Sequence, residues 1–181
     1  LLQQARIINQ IHDSVISTDL DGYVTSWNKG AERLFGYSVD EALSQHISFV
    51  YPQDQHQFLQ QEVIDPLKQK GEHEIEVRMQ RKSGGNFDAH LSLSLLKDST
   101  GTPTGMIGYS IDITERKQVE KALLESEELF RQLAENIREV FFVKDIEPNR
   151  VIYVSPTYEE VWQKSRESLY KNPQAFLDSI V

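Results

Sequence analysis

At 181 residues, with 39% hydrophobic and 26% charged side chains, the chain has room for one large domain or for one and a half small ones. A net charge of −9 sets it against the phosphates of nucleic acid, and no apolar run approaches the ~20 residues of a membrane span, so neither a nucleic-acid partner nor a membrane span is expected. The absence of cysteine removes disulfides, thiolate metal sites, thiol nucleophiles and any chromophore attached through sulfur, and it fits a reducing cytoplasm.

Ala5, Ile8 and Ile11 stand at helical spacing and predict the end of a helix over residues 1–12. The start at Leu1, without a signal-peptide pattern, suggests a segment excised from a longer protein. Ser14–Asp19 and Tyr23–Trp27 read as short strands joined by the turn signal Asp21-Gly22. Asn28 predicts the N-cap of a helix from Lys29 to Phe35, closed by Gly36. Ser38-Val-Asp-Glu41 has the form of a capping box and opens another short helix. A longer helix is expected from Asp54 to Lys70, interrupted at Pro66 and stopped at Gly71.

Three strands follow. Ile75, Val77 and Met79 alternate with charged residues. Phe87, Ala89, Leu91, Leu93 and Leu95 alternate with polar ones, and Ile107, Tyr109, Ile111 and Ile113 alternate with Gly108, Ser110 and Asp112. Such period-two patterning predicts antiparallel strands with one face buried, although it does not say which face. Residues 13–114 therefore read as an α+β domain with a five-stranded sheet. From Thr114, a plausible N-cap, the period changes. Val119, Leu123, Ser126, Phe130, Leu133 and Ile137 form a short coiled-coil seam, so residues 115–137 are expected to be a connecting helix.

The opening pattern then recurs. Ile11 and Asp19 match Ile137 and Asp145 at an offset of 126, while Val24, Asn28 and Ser38 match Val151, Ser155 and Ser165 at 127, with one residue inserted in the turn. Residues 138–181 thus repeat the first half of the domain without its three late strands.

Asp19-Leu-Asp-Gly22 with Trp27-Asn28, the helix from Ala31 to Ser38, the hairpin Lys82-Ser-Gly-Gly85 and the ending Gly105, Gly108 and Asp112-Ile-Thr-Glu-Arg-Lys117 together resemble a PAS domain with its C-terminal PAC portion. The second copy resembles the opening half of another. The resemblance implies a five-stranded antiparallel sheet flanked by helices, with a pocket between them. It also implies a place in a bacterial multidomain sensor such as a histidine kinase or diguanylate cyclase. Ile16, Leu34, Phe35, Phe58 and Leu93 are the candidate pocket residues, and a small ligand or a protein partner is the expected stimulus. Asp112 and Thr114 occupy the family's junction between last strand and output helix, where they are expected to couple the two. A homodimer through the helices and an output domain further along the same chain are the expected partners.

Other chemistry is weaker. His56, near the start of the long helix, matches in place the iron ligand of the haem-binding branch, but its neighbours Asp54, Gln55 and Gln57 favour a solvated first turn. A non-covalent flavin stays open with no residue pointing to it. His73, Glu74 and Glu76 form no metal spacing and read as a strand. The loop Ser83-Gly-Gly-Asn-Phe87 lacks the acidic residues of a cyclase loop, and no phosphoacceptor-histidine box or phosphate loop is present, so the segment reads as non-catalytic. The alternative to sensing is a ligand-free scaffold with a filled core.

Overall fold

A computed structural model of the protein describes residues 13–147 and 150–173, without the side chain of His56. The helix expected over residues 1–12 lies outside the described residues. The chain divides into two compact units, with the boundary after Gln118.

The first unit is a five-stranded antiparallel sheet in the order β2-β1-β5-β4-β3. Its strands are β1 (Ser14–Thr18), β2 (Val24–Trp27), β3 (Glu72–Gln80), β4 (Asn86–Lys97) and β5 (Pro103–Asp112). Two short helices, α1 (Lys29–Phe35) and α2 (Val39–Ala42), and a 3-10 turn at Ile47–Val50 follow β2. The Asn28 side chain caps α1 by accepting from the Ala31 amide, and Gly36 closes it in the left-handed region at φ 82°. Trp27, Phe35, Phe49 and Phe87 then pack as a chain of rings 5.5–5.8 Å apart, filling the end of the core beside α1.

At α2 the Ser38 backbone donates to Glu41, and Lys82 of the β3–β4 hairpin also donates to that carboxylate. These bonds, the one from Lys82 first, hold the Glu41 carboxyl down at about 2. The folded value lies below the unfolded one, so its stabilising effect is full above about pH 4.3 and is lost as the pH falls through 2. An NMR titration should place the Glu41 midpoint near 2 and move it up toward 4.5 in Lys82→Met. A wild-type midpoint above 4 would contradict the contact.

The long helix expected from Asp54 is instead a composite. A 3-10 turn at Gln53–Gln55 leads into α3 (His56–Phe58), a π-helical turn at Leu59–Ile64 and α4 (Asp65–Lys70). Pro66 has no amide to offer the Glu62 carbonyl, and its ring crowds that carbonyl. The helix widens one turn earlier, where the Asp65 amide bonds Gln60. The freed Glu62 carbonyl accepts from Nε2 of His73 at 2.8 Å, which ties the wide turn to the start of β3. A carbonyl only accepts, so Nε2 carries the proton.

The second unit contains β6 (Phe142–Asp145), β7 (Arg150–Val154), α6 (Thr157–Trp162) and α7 (Arg166–Lys171) around Val151, Val154, Tyr158 and Leu169. Its internal geometry repeats that of the first. Ile16↔Trp27, Ser17↔Ser26 and Thr18↔Val24 pair across β1 and β2, with a register shift after Ser17. Phe142↔Val154, Val143↔Tyr153 and Lys144↔Val151 pair across β6 and β7, with the shift after Val143. Asn28 accepts from the Val15 amide and donates to the Asp13 carbonyl; Ser155 accepts from Phe141 and donates to Glu139. Each pair of partners is related by the offset of 126 read from the sequence. Where Gly36 closes α1, Gln163 closes α6 at φ 56°, a conformation that costs a side-chain-bearing residue about 1 kcal/mol.

Candidate ligand cavity and helix junction

Between the sheet and the helices of the first unit lies a cavity of about 50 Å³. Its floor is Ile16 and Thr18 of β1, Leu91 and Leu93 of β4, and Met106, Gly108 and Ser110 of β5. Its roof is Ile47, Val50 and Tyr51 with Leu59, Val63 and Ile64 of the π-helical turn. The wall is apolar except for the hydroxyls of Thr18, Tyr51 and Ser110, and burial pushes the Tyr51 phenol above its ordinary range. The cross-strand pairs Ile16↔Gly108 and Leu93↔Gly108 put these three residues on one face, and the missing side chain at Gly108 lets Leu93 pack close to the strand, 3.0 Å from where a Cβ would stand. On β5 the inward residues are therefore Met106, Gly108 and Ser110, while Ile107, Tyr109 and Ile111 face the other side of the sheet.

The second feature is the end of β5. One residue, Ile113, separates it from helix α5 (Thr114–Asn136). The Asp112 carboxylate accepts the Thr114 amide at 2.9 Å, and Arg81 donates to the same carboxylate. Arg81 also donates to the Leu34 carbonyl at the end of α1 and lies 4.2 Å from the centre of the Phe87 ring. On the opposite face of the sheet, the Asp88 amide donates to the Thr114 hydroxyl at 3.0 Å and the Ile113 amide returns to the Asp88 carbonyl at 2.9 Å. Glu76 pairs with Arg116 at 3.0 Å and Lys117 at 2.8 Å, and Lys117 reaches Asp88 at 3.6 Å. The Lys117 bond lowers the pKa of Glu76, and the Glu76 bond raises that of Lys117. Each of these exposed pairs contributes little by itself. Together with the amide bonds they fasten the first turn of α5 to β3, β4 and β5.

A family model described as PAS domain matches residues 12–115, and a second PAS domain model matches residues 128–180. The chain belongs to the PAS domain family. Among curated proteins it is 28% identical over 123 residues to the sensor protein FixL of Bradyrhizobium diazoefficiens, covering 66% of this chain and 24% of FixL. It is 28% identical over 124 residues to the signal transduction histidine-protein kinase AtoS of Escherichia coli, covering 68% of this chain and 20% of AtoS. It is 27% identical over 120 residues to two-component system protein A of Emericella nidulans, covering 65% of this chain and 17% of that protein. The chain thus spans a quarter or less of these relatives. A PAS domain from Colwellia psychrerythraea superposes with a TM-score of 0.60 at 28% identity, covering 63% of this chain and 97% of that one. The structure of an RNA-binding light-oxygen-voltage receptor does so with a TM-score of 0.62 at 23% identity, covering 70% and 36%, which shows the shared fold.

The PAS fold is the five-stranded antiparallel sheet with flanking helices expected from the sequence, and a sensory signal-transduction module is the function it serves among these relatives. Of the residues singled out for the pocket, Ile16 and Leu93 line the cavity. Leu34, Phe35 and Phe58 do not. Phe35 is fully buried in the ring cluster, and Leu34 and Phe58 are part-buried against the same core. Thr114 uses its hydroxyl toward Asp88, and the first helical amide goes to Asp112. In the sequence Arg81, Glu76, Asp88 and Lys117 carry no sign of a part in the junction, because surface charges look alike until the helix is laid against the strands. The cavity by itself is far below the roughly 300–1,000 Å³ of sites for drug-sized ligands. The haem reading through His56 falls on a side chain outside those described. Among the described residues no helix is long and apolar enough to cross a membrane.

Proposed function

We propose that this chain is the sensory input and relay segment of a larger two-component-type signalling protein. The first PAS domain (13–114) detects a small molecule in its cavity, and the connecting helix (115–137) carries the result to the second PAS unit (138–181). The observation that carries this reading is that one strand, β5, both floors the cavity and ends in the fastened first turn of α5. A ligand that shifts Met106, Gly108 or Ser110 bears on the strand that holds Asp112. Two populations of sheet geometry then become two settings of the helix. Val119, Leu123 and Leu133 are exposed along one seam of α5, where Phe130 packs its ring on Tyr153 at 5.0 Å, and the exposed stretch supports a parallel homodimer in which that setting is read as a rotation between helices. Catalysis belongs to an output domain elsewhere in the protein.

In that full signalling protein, Asp112→Ala with Thr114→Ala should abolish the response to stimulus while the first PAS domain stays folded. An undiminished response from the double variant would contradict the relay.

A further inference from the structure

We propose that the cavity and the groove at its mouth form one site for a small zwitterionic amphiphile, with an alkyl chain inside and an ammonium and a carboxylate outside, of the size and kind of an apolar amino acid. This rests on the cavity-sensing reading above and names the ligand class for it.

A second, larger groove of about 370 Å³ adjoins the inner cavity. The two share Ile47, Leu59, Ile64 and Met106 as walls, so only these apolar side chains stand between groove and cavity, and a tail that parts them passes from one to the other. Polarity changes sharply across that wall. Inside, the polar side chains of the lining are those of Thr18, Tyr51 and Ser110 and none is charged at neutral pH, so a charged group placed there would be left without a counter-ion. Outside, the lining includes Lys68, Asp21, His46 and Gln60. Among the described residues neither Lys68 nor Asp21 belongs to an ion pair, so one cation and one anion stand available on the same groove. A simple carboxylate would be attracted by Lys68 and repelled by Asp21, and a simple amine would meet the reverse. A head group carrying both charges is attracted by each. The small inner volume limits the tail to a few carbons. The same inner wall includes Met106, Gly108 and Ser110, so occupancy is felt on β5.

The test uses four six-carbon compounds that differ only at the head: 2-aminohexanoate, hexanoate, hexylamine and 1-hexanol. Each is titrated calorimetrically into the chain. Binding should be tightest for 2-aminohexanoate. Lys68→Met and Asp21→Asn, both exposed changes, should each weaken it about two- to fivefold, as the loss of an exposed ion pair does. Hexanoate should respond with opposite signs, weaker in Lys68→Met and stronger in Asp21→Asn. If all four compounds bind equally, or if neither substitution alters 2-aminohexanoate binding, the zwitterion assignment is overturned while the cavity remains a ligand site. If none of the four binds, the zwitterion assignment is overturned, and the cavity-sensing reading is judged separately by the stimulus response of the full signalling protein.

Discussion

Gly105→Ala is expected to destabilise the first PAS domain by about 3 kcal/mol, lowering its Tm by roughly 12–24 °C. A Cβ at this position would stand 2.3 Å from the Thr18 carbonyl oxygen and 3.4 Å from its carbon. Both atoms are backbone, and the next residue pair, Thr18↔Met106, belongs to the ladder between β1 and β5. Relief therefore requires the two central strands to part, which a side-chain rotation cannot supply. Gly85 makes the matched control. It sits in the β3–β4 hairpin with only the Ser83 hydroxyl near, 3.8 Å from an added Cβ, so Gly85→Ala should change stability by less than about 1 kcal/mol. Thermal unfolding of the two variants compares them directly. Equal Tm values would show that β1 and β5 do not approach as closely as described.

The second large effect is expected at Asn28. Its Oδ1 accepts two amides, Val15 at 2.9 Å and Ala31 at 2.8 Å, and its Nδ2 donates to the Asp13 carbonyl at 3.0 Å, all from a side chain only 3% exposed. One amide and the carbonyl belong to the chain entering and forming β1, and the other amide to the first turn of α1. A single amide side chain thus joins helix to strand. Asn28→Ala removes the cap and leaves the Val15 amide buried without a partner, costing about 2–4 kcal/mol. Chemical denaturation measures this, and a loss below about 1 kcal/mol would mean that another group takes over these amides. The corresponding Ser155 uses one hydroxyl for the same two connections, at 3.1 and 3.4 Å. The repeat is therefore one of hydrogen-bond geometry, preserved through a change of side chain.

Much of the fold was legible because local signals agreed with one another. Asp21-Gly22, Asn28, Gly36, Ser38 with Glu41, and Gly71 each mark an element boundary close to where it lies, since each meets a backbone requirement that few residues satisfy. The repeat offset carried over to the register of both strand pairs for the same reason. The interior was harder to read. On β5 the apolar residues Ile107, Tyr109 and Ile111 lie away from the cavity, and the inward positions are the small or flexible Met106, Gly108 and Ser110. Hydrophobic alternation shows that a strand has two faces, but close packing against a cavity favours small residues over large apolar ones. Gly108 and Ser110 at alternate positions were the available sign. Phe35 was named among the pocket residues, and its ring packs in the aromatic cluster instead. Pro66 signalled a broken helix, but the compensation by a π-helical turn and by His73 depends on a residue 11 positions after Glu62, beyond the reach of local pattern.

The relay turns on the first turn of α5 being held by the sheet through Asp112 and Thr114. Native-state hydrogen exchange followed by NMR addresses this residue by residue. In Asp112→Ala/Thr114→Ala, the amides of Ile113 and Lys117, which bond Asp88 and Ile113 respectively, should lose about tenfold or more of their protection, while the amides of Leu91 and Leu93 in β4 keep theirs. Protection at Lys117 that matches the wild type would mean the helix is held by something other than this junction, and the coupling would have no physical seat.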